Sequence, residues 1–297
     1  MMKYRFTPAD AAFNLFLYVF MVVVGIVTMY PFLNLLAVSL NDSLDTVRGG
    51  IYLWPRMFTW ENYLQIFLYN DLLVAFRNSV LRTVIGTALG VFSGAMLAYV
   101  LSRKDFVARK PVSLFFALTL YFSGGMIPVY MLMRDLGLIN SFWVYIFPGI
   151  VNAWNVFVIR SYMDGLPASL QESAKLDGAN DWTVFLRIIL PLCKPVLATI
   201  GLFVAVGQWN SWFDTFLYNS GTSALTTLQY ELMKILSNTQ AGANNLARLS
   251  DPSLSNQVSP ESIRAAITMV ATVPILLVYP FLQRYFVKGL TLGAVKS

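Results

Sequence analysis

No histidine occurs in the 297 residues, and there is a single cysteine, Cys193. The first absence removes the commonest general base, the commonest metal ligand and every Ser-His or Cys-His nucleophile pair. The second removes any intramolecular disulfide. Charge is scarce too: Asp, Glu, Lys and Arg make up 12% of the chain, against 57% hydrophobic residues. A soluble domain carries roughly 25% charged residues. Too few charges remain to cover a surface in water, and lipid is the natural solvent for the rest. A phosphate loop of the form G-x-x-x-x-G-K-[ST] is also missing, because neither Gly49-Gly50 nor Gly124-Gly125 is followed by Lys-Ser/Thr. ATP has no binding site of that kind here, and ordinary hydrolase chemistry is disfavoured.

What is present is a set of long apolar runs. Six stretches lack Asp, Glu, Lys and Arg: 11–41, 83–102, 111–133, 136–159, 195–213 and 265–283. A helix needs roughly 20 residues to cross the hydrocarbon core. Lipid offers backbone groups no partner, so each run is expected to be helical. The predicted spans are 12–38, 77–102, 111–134, 138–161, 195–218 and 263–285, in one transmembrane domain over 1–297. The first apolar core is too long for a cleavable signal peptide.

The formal net charge is +6, but its distribution matters more than its sum. The basic residues form no dense run with interleaved aromatics, so nucleic acid is not an expected partner. The larger share falls on one side of the predicted spans, with Lys3, Arg5, Lys175, Arg187, Lys194, Arg284, Lys288 and Lys296 joined by the dense group Arg103, Lys104, Arg109 and Lys110. That bias predicts cytoplasmic termini and outward segments at 42–73 and 219–261. The second of these, rich in Ser, Asn and Gln, reads as a contact surface for a partner or as a flexible loop. Within the second span Gly86, Gly90, Gly94 and Ala98 recur every four residues. Small residues on one face let another backbone approach, either inside this chain or at a subunit interface.

The most informative stretch, 167–194, lies between the fourth and fifth spans. Ser169 and Glu172 have capping-box spacing. Gly178 suits the left-handed end of a helix, and Asn180 or Asp181 suits the cap of a second one. Phe185 and Ile188 share a face of that second helix, and Pro191 and Pro195 interrupt its passage into the fifth span. A short helix with a firm start and stop moves as a body and suits force transfer. It is equally the form of an ordinary interfacial helix turn.

Glu172-Ser173-Ala174, Asp177-Gly178-Ala179, Phe185, Ile188 and Leu190-Pro191 together resemble the EAA loop of ABC importer permeases; Ser173 stands where that family usually has Ala. The resemblance extends over nearly the whole chain. It takes in Trp54-Pro55, Phe58-Thr59-Trp60-Glu61-Asn62-Tyr63, Asn78-Ser79, Ala98-Tyr99-Val100-Leu101-Ser102-Arg103, Gly124-Gly125-Met126-Ile127-Pro128, Leu136-Gly137-Leu138-Ile139-Asn140, Phe286-Val287-Lys288-Gly289-Leu290-Thr291 and Gly293-Ala294-Val295-Lys296. It points to the carbohydrate branch, similar to the maltose-transporter type. Within that branch the chain looks most like the subgroup that moves oligosaccharides, including uronic-acid oligomers such as alginate.

The resemblance implies an all-α fold, the type I ABC importer permease with six transmembrane helices and a cytoplasmic EAA coupling helix, in the inner membrane. It implies a transport subunit rather than an enzyme. Its partners would be a second homologous permease, an ATPase dimer docked on the EAA loop, an extracytoplasmic solute-binding protein and the sugar. No cofactor is implied on this chain, and ATP and Mg would sit on the partner ATPase. Glu172, Ser173, Ala174, Asp177, Gly178 and Ala179 would form the coupling site, with Glu172 pairing a basic residue of the ATPase and Gly178 permitting the tight turn. Transport would proceed by alternating access. The rival readings are an ABC permease for another solute and an ion-coupled secondary transporter. The latter is disfavoured because the spans are nearly bare of ionisable groups, with Arg82 and Asp214 at their predicted ends.

For the substrate path, the end of the fifth span resembles a Trp-Asn segment of that family. Gln208 and Asn210 can bond hydroxyls and Trp209 or Trp212 can stack on a ring, with Asn152 and Asn155 of the fourth span as further candidates. The tryptophans also suit an interfacial aromatic belt. Arg77 and Arg82 can attract an acidic sugar or anchor at headgroups.

Overall fold

The computed structural model describes residues 8–69, 72–243 and 259–294. Of the positions singled out in the sequence, Lys3, Arg5, Val295 and Lys296, with the 244–258 part of the second outward segment, lie outside them. In chain order the helices are α1 (Pro8–Ser39), α2 (Ser43–Val47), α3 (Glu61–Tyr69), α4 (Leu72–Ser102), α5 (Arg109–Tyr121), α6 (Met126–Asp135), α7 (Ala153–Asp164), α8 (Ser169–Leu176), α9 (Asp181–Val184), α10 (Leu190–Leu192), α11 (Lys194–Asn210), α12 (Leu228–Ala243) and α13 (Pro260–Ala294). Among the described residues the fold is all-α, with one isolated β-bridge from Asn41 to Phe58.

Two compact units are formed, one from Met1–Asn70 with Ile235–Thr272 and the other from Asp71–Lys234 with Val273–Ser297. In the first, α1 is apolar all round and leaves Phe16, Tyr18, Val27 and Met29 exposed. A helix apolar on every face is built for lipid or for a partner. Beyond it a small apolar cluster of Ala37, Val38, Ile51 and Ala265 is joined by a polar knot. Asp42 caps α2 by accepting from the Leu44 and Asp45 N–H groups. The Asn62 amide donates to the carbonyls of Ser39 (2.9 Å) and Asn41 (2.8 Å), and Arg56 Nε donates to Asp45 at 2.9 Å. The Asn41 amide and then Arg56 hold the Asp45 carboxyl below the usual carboxylate range, against its desolvation.

The second unit is organised around α4, which packs against α7 and α11. The small-residue stripe is spent on this internal packing. A Cβ on Gly90 would lie 3.6 Å from Val204 of α11, and one on Gly94 would lie 3.6 Å from Ile159 of α7. Ala95, Ala98, Val156, Ile159 and Ile200 are fully buried between these helices, and Val184 of α9 joins the same core. The resembling motifs act as pegs. The Asn78 amide donates to the carbonyls of Ala224 and Thr226, both at 2.9 Å, and Ser79 Oγ accepts from the Leu228 N–H. Asn140, at φ 56°, turns the chain so that its N–H reaches the Tyr218 carbonyl at 3.2 Å.

Three helical stretches are long and apolar enough to cross a membrane unaided: Asp10–Ser39, Leu72–Ser102 and Pro260–Leu277. Three further pairs do so only as bent units: Arg109–Tyr121 with Met126–Asp135 (117°), Phe142–Gly149 with Ala153–Asp164 (48°), and Asp181–Leu192 with Lys194–Asn210 (80°). Six spans result if each bent pair counts as one. The runs 111–134, 138–161 and 195–218 are therefore not single helices. Gly125 takes φ +85°, which a side chain resists, and breaks the first run. Pro148 and the Asn152 cap break the second. In the third, α11 ends at Asn210 and a short π-helical turn, Thr215–Asn219, follows under an Asp214 cap.

Candidate coupling helix and substrate cavity

The coupling segment begins at α8. The capping box expected from Ser169 and Glu172 does not form, and no side chain caps this helix. Pro167 fixes its own φ and Ala168 is already helical. The Leu170 N–H therefore donates to the Pro167 carbonyl (3.3 Å) and the Glu172 N–H to the Ala168 carbonyl (3.1 Å). That places Ser169 inside the first turn, beyond reach of a capping position.

The far end is closed as expected. Gly178 has φ +81°, its N–H donates to the Lys175 carbonyl at 3.0 Å, and the Ala179 N–H donates to the Ala174 carbonyl at 2.9 Å. These are the two bonds of a Schellman ending. Asn180, rather than Asp181, then caps α9 by accepting from the Thr183 N–H at 2.8 Å. A π turn over Phe185–Ile189 follows, with the Leu190 N–H bonded to the Phe185 carbonyl. The wider turn accommodates Pro191, whose ring would press on the preceding turn of an α-helix. The turn buries Phe185 and Ile189 while Ile188 is half-buried.

Charges lash this helix-turn-helix to the end of α4. Arg103 reaches Asp105 at 2.6 Å, Asp181 at 3.2 Å and the side-chain oxygen Oε1 of Gln171 at 3.2 Å. Lys175 lies 3.3 Å from Asp181. Hydrogen bonding to Asp105 pushes the Arg103 guanidinium further up, and the same bond holds the Asp105 carboxyl down at about 2. Cys193 is fully buried in the core cluster with Phe185 and Ile189, a packing group. Ala174 and Ala179 turn partly into the core. Glu172, Ser173, Asp177 and Gly178 are exposed, and Leu176 is 89% exposed. A braced helix with an apolar tip in solvent is a surface prepared for a partner.

The second feature is a cavity of about 890 Å³ in the same unit. Of the sequence candidates, Gln208, Asn152 and Asn155 line it. Asn152 also caps α7, accepting from the Asn155 N–H at 3.1 Å. Trp209, Asn210 and Trp212 are not among its lining residues. Trp209 is buried beside Phe76, in a wholly apolar pocket that also includes Pro274. Trp212 packs on Phe213 and Phe216, and Asn210 donates to the Val206 carbonyl of its own helix.

The two arginines part company. Arg77 is exposed. Arg82 is 2% exposed and is not a headgroup anchor: it faces Asp214, donating from Nη1 to Oδ1 at 3.1 Å and from Nη2 to Oδ2. Arg82 Nε also donates to Gln208 Oε1 at 3.1 Å, the Gln208 amide donates to the Tyr145 carbonyl at 3.2 Å, and the Tyr145 ring lies 4.5 Å below the guanidinium. Sequence reasoning left Asp214, Tyr145, Trp154 and Tyr218 out of the path, and all four line the cavity. The available signal was Arg82 with Asp214, one cation and one anion at the edges of otherwise uncharged spans.

A helical membrane protein with a cavity that sets amides and one ion pair among aromatic and apolar side chains, and with a braced, exposed helix-turn, has the parts of a transport subunit. Residues 2–292 match the family described as binding-protein-dependent transport system inner membrane component, and the chain belongs to that family. It is 37% identical to the polygalacturonan/rhamnogalacturonan transport system permease protein YtcP of Bacillus subtilis strain 168, over 96% of this chain and 98% of the relative. It is 37% identical to protein LplC of the same organism, over 98% and 97%. Among solved structures, a chain of a bacterial ABC transporter involved in the import of the acidic polysaccharide alginate superposes with a TM-score of 0.84 at 27% identity. That match covers 96% of this chain and all of the other.

Proposed function

We propose that this chain is one of two permease subunits of an ATP-driven importer carrying uronate-containing oligosaccharides by alternating access. It is a transport subunit, not an enzyme. Hydrolysis of Mg-bound ATP belongs to a separate ATPase dimer, which docks on α8. ATP-driven closure of that dimer moves α8 and α9 as one body, and the permease pair opens outward. A ligand can drive such a cycle only by biasing two global states differently. A solute-binding protein delivers the sugar at the opposite face. The basic group around Arg103, Lys104 and Lys175 favours a cytoplasmic position for the coupling segment and both termini.

The observation that carries this reading is the braced coupling helix, which presents Glu172 and Leu176 to solvent while Arg103 and the Schellman ending fix its base. The acid substrate class rests on the relatives, one named for polygalacturonan and one for alginate. The test is ATP hydrolysis by the complete complex in liposomes, with the binding protein and with oligogalacturonides, alginate oligomers or neutral oligosaccharides. Stimulation by an acidic oligomer supports the assignment, and stimulation only by a neutral one replaces the substrate class. Glu172→Ala should leave assembly intact and abolish stimulation. Normal stimulation in that variant would remove α8 from coupling.

A further inference from the structure

Building on the oligosaccharide-permease assignment, we propose that Asp214, held by Arg82, accepts a hydrogen bond from a sugar hydroxyl. This chain's part of the cavity is then a charge-balanced subsite that reads hydroxyls and ring faces, not carboxylates.

The charge count comes first. Among the described residues lining the cavity, Arg82 and Asp214 are the charged ones, and their charges cancel. Arg82 has little left to offer a sugar carboxylate. Its Nε bonds Gln208, its Nη1 bonds Asp214 and the Ser211 carbonyl (3.3 Å), its Nη2 bonds Asp214, and one face lies over Tyr145. Reaching it would mean displacing Asp214 from a nearly inaccessible guanidinium and leaving that carboxylate without its counter-charge, which is strongly unfavourable.

Asp214 is placed differently. Its side chain is 22% exposed against 2% for Arg82. Oδ1 accepts from Arg82 and from the Thr215 N–H at 2.8 Å, so both of its lone pairs are used. Among the described residues Oδ2 accepts from Arg82 alone, which leaves it one acceptor position. A hydroxyl donating to an ionised carboxylate makes a short, charge-assisted bond. The same cavity is lined by Phe213 and Trp154, about half exposed, which supply ring faces, and by Asn155, which supplies an amide. Acid groups, ring faces and amides are what a pyranose with several hydroxyls needs. A uronate carboxylate would gain nothing at this subsite and is left to the remainder of the assembled path.

The experiment uses the permease–ATPase complex without binding protein, so that protein's preferences do not enter. Asp214 is labelled with a carbodiimide, read by mass spectrometry against the exposed Glu61 as internal reference. Uronate oligosaccharides and their methyl esters should protect Asp214 about equally, with labelling reduced severalfold. Protection by the acid form alone, or by neither form, overturns the proposal.

A second arm separates recognition from structure, using the complex with its binding protein and acidic oligosaccharide. The neutral pair Arg82→Gln/Asp214→Asn and the reversed pair Arg82→Asp/Asp214→Arg both avoid a lone buried charge. Each should raise the half-stimulating sugar concentration about tenfold, the loss expected for one charge-assisted hydrogen bond. A normal sugar response in either pair would make Asp214 a structural partner only. Wild-type complex that no oligosaccharide stimulates would instead refute the assignment of function, a result distinct from both.

Discussion

The guanidinium of Arg103, just past the end of α4, lies 3.2 Å from the carboxylate of Asp181, the first residue of α9. The same unbroken helix, Leu72–Ser102, carries Arg82 at the cavity. At 1.5 Å per residue the two arginines are roughly 30 Å apart along it. One rod therefore holds the sugar-facing ion pair near one end and the clamp on the coupling helix at the other. Arg103→Ala removes the bonds to Asp105, Asp181 and Gln171 together. Because both acids are well exposed, the loss of stability should stay near 1 kcal/mol. The loss of bracing should be larger in effect: faster amide exchange over 169–182, and sugar-stimulated ATP hydrolysis falling toward the unstimulated rate. Arg103→Lys should recover little, since an ammonium cannot serve several acceptors in one plane.

Gly178 tests the ending of α8 separately from its bracing. Among the described residues no atom lies within 4 Å of where its Cβ would stand, so a side chain meets no steric obstacle there. The backbone at φ +81° is the sole penalty, about 1–2 kcal/mol for a residue with a Cβ. Gly178→Ala should fray the last turn of α8 and lower transport, and Gly178→Asn, which tolerates this region better, should retain more. Equal transport by both variants and wild type would show that the tight turn is dispensable.

The clamp should weaken in acid. Asp105 titrates at about 2 in the folded protein, below roughly 3.9 for an unperturbed aspartate. A depressed folded value stabilises the folded form fully above the unfolded pKa, and the stabilisation is lost as pH falls through the folded one. Asp105 is mostly exposed, so screening keeps the effect under about 1 kcal/mol. Thermal unfolding of wild type and Asp105→Asn should differ by a constant amount above about pH 5, and the two curves should converge between about pH 4 and pH 2. A difference that persists unchanged at the acid end would assign the stabilisation to another group.

Periodicity and breakers made the coupling segment readable, because its structure is local. The Gly178 turn, the Asn180 cap and the proline-disturbed entry to α11 each depend on neighbours within a few residues. Ser169 failed for an equally local reason: Ala168 takes the cap position, so the helix already includes Ser169. The cavity was less legible because its geometry is non-local. Gln208 was visible as an amide in an apolar run, but its partners Arg82 and Tyr145 are 126 and 63 residues away. Trp209 and Trp212, open in the sequence to either the path or an aromatic belt, lie outside the cavity lining: Trp209 points to another face of α11 than Gln208, and Trp212 follows the extended backbone at Ser211, past which helical phase does not carry. The bends in the third and fourth runs were hidden too, since hydropathy counts residues and does not see direction.

The glycines of α4 should respond to enlargement in a graded way, which ties the packing to the cavity. A Cβ on Gly86 would lie 2.8 Å from Gln208 Nε2 and 2.9 Å from its Cδ, so the amide must move. That amide is pinned by Arg82 on one side and the Tyr145 carbonyl on the other. Its displacement also removes a bond from the guanidinium that holds Asp214. Overpacking of this kind costs about 1–3 kcal/mol. At Gly90 the nearest atom, Val204 Cγ1, is 3.6 Å away, an ordinary contact. There a methyl group fits, and replacing glycine inside a helix stabilises by roughly 0.5–1 kcal/mol. Gly86→Ala should therefore lower the melting temperature and raise the sugar concentration needed for stimulation, while Gly90→Ala should keep or improve the first and leave the second alone. If Gly90→Ala disturbs the sugar response as much as Gly86→Ala does, the effect belongs to the α4–α11 contact as a whole and not to the Gln208 amide.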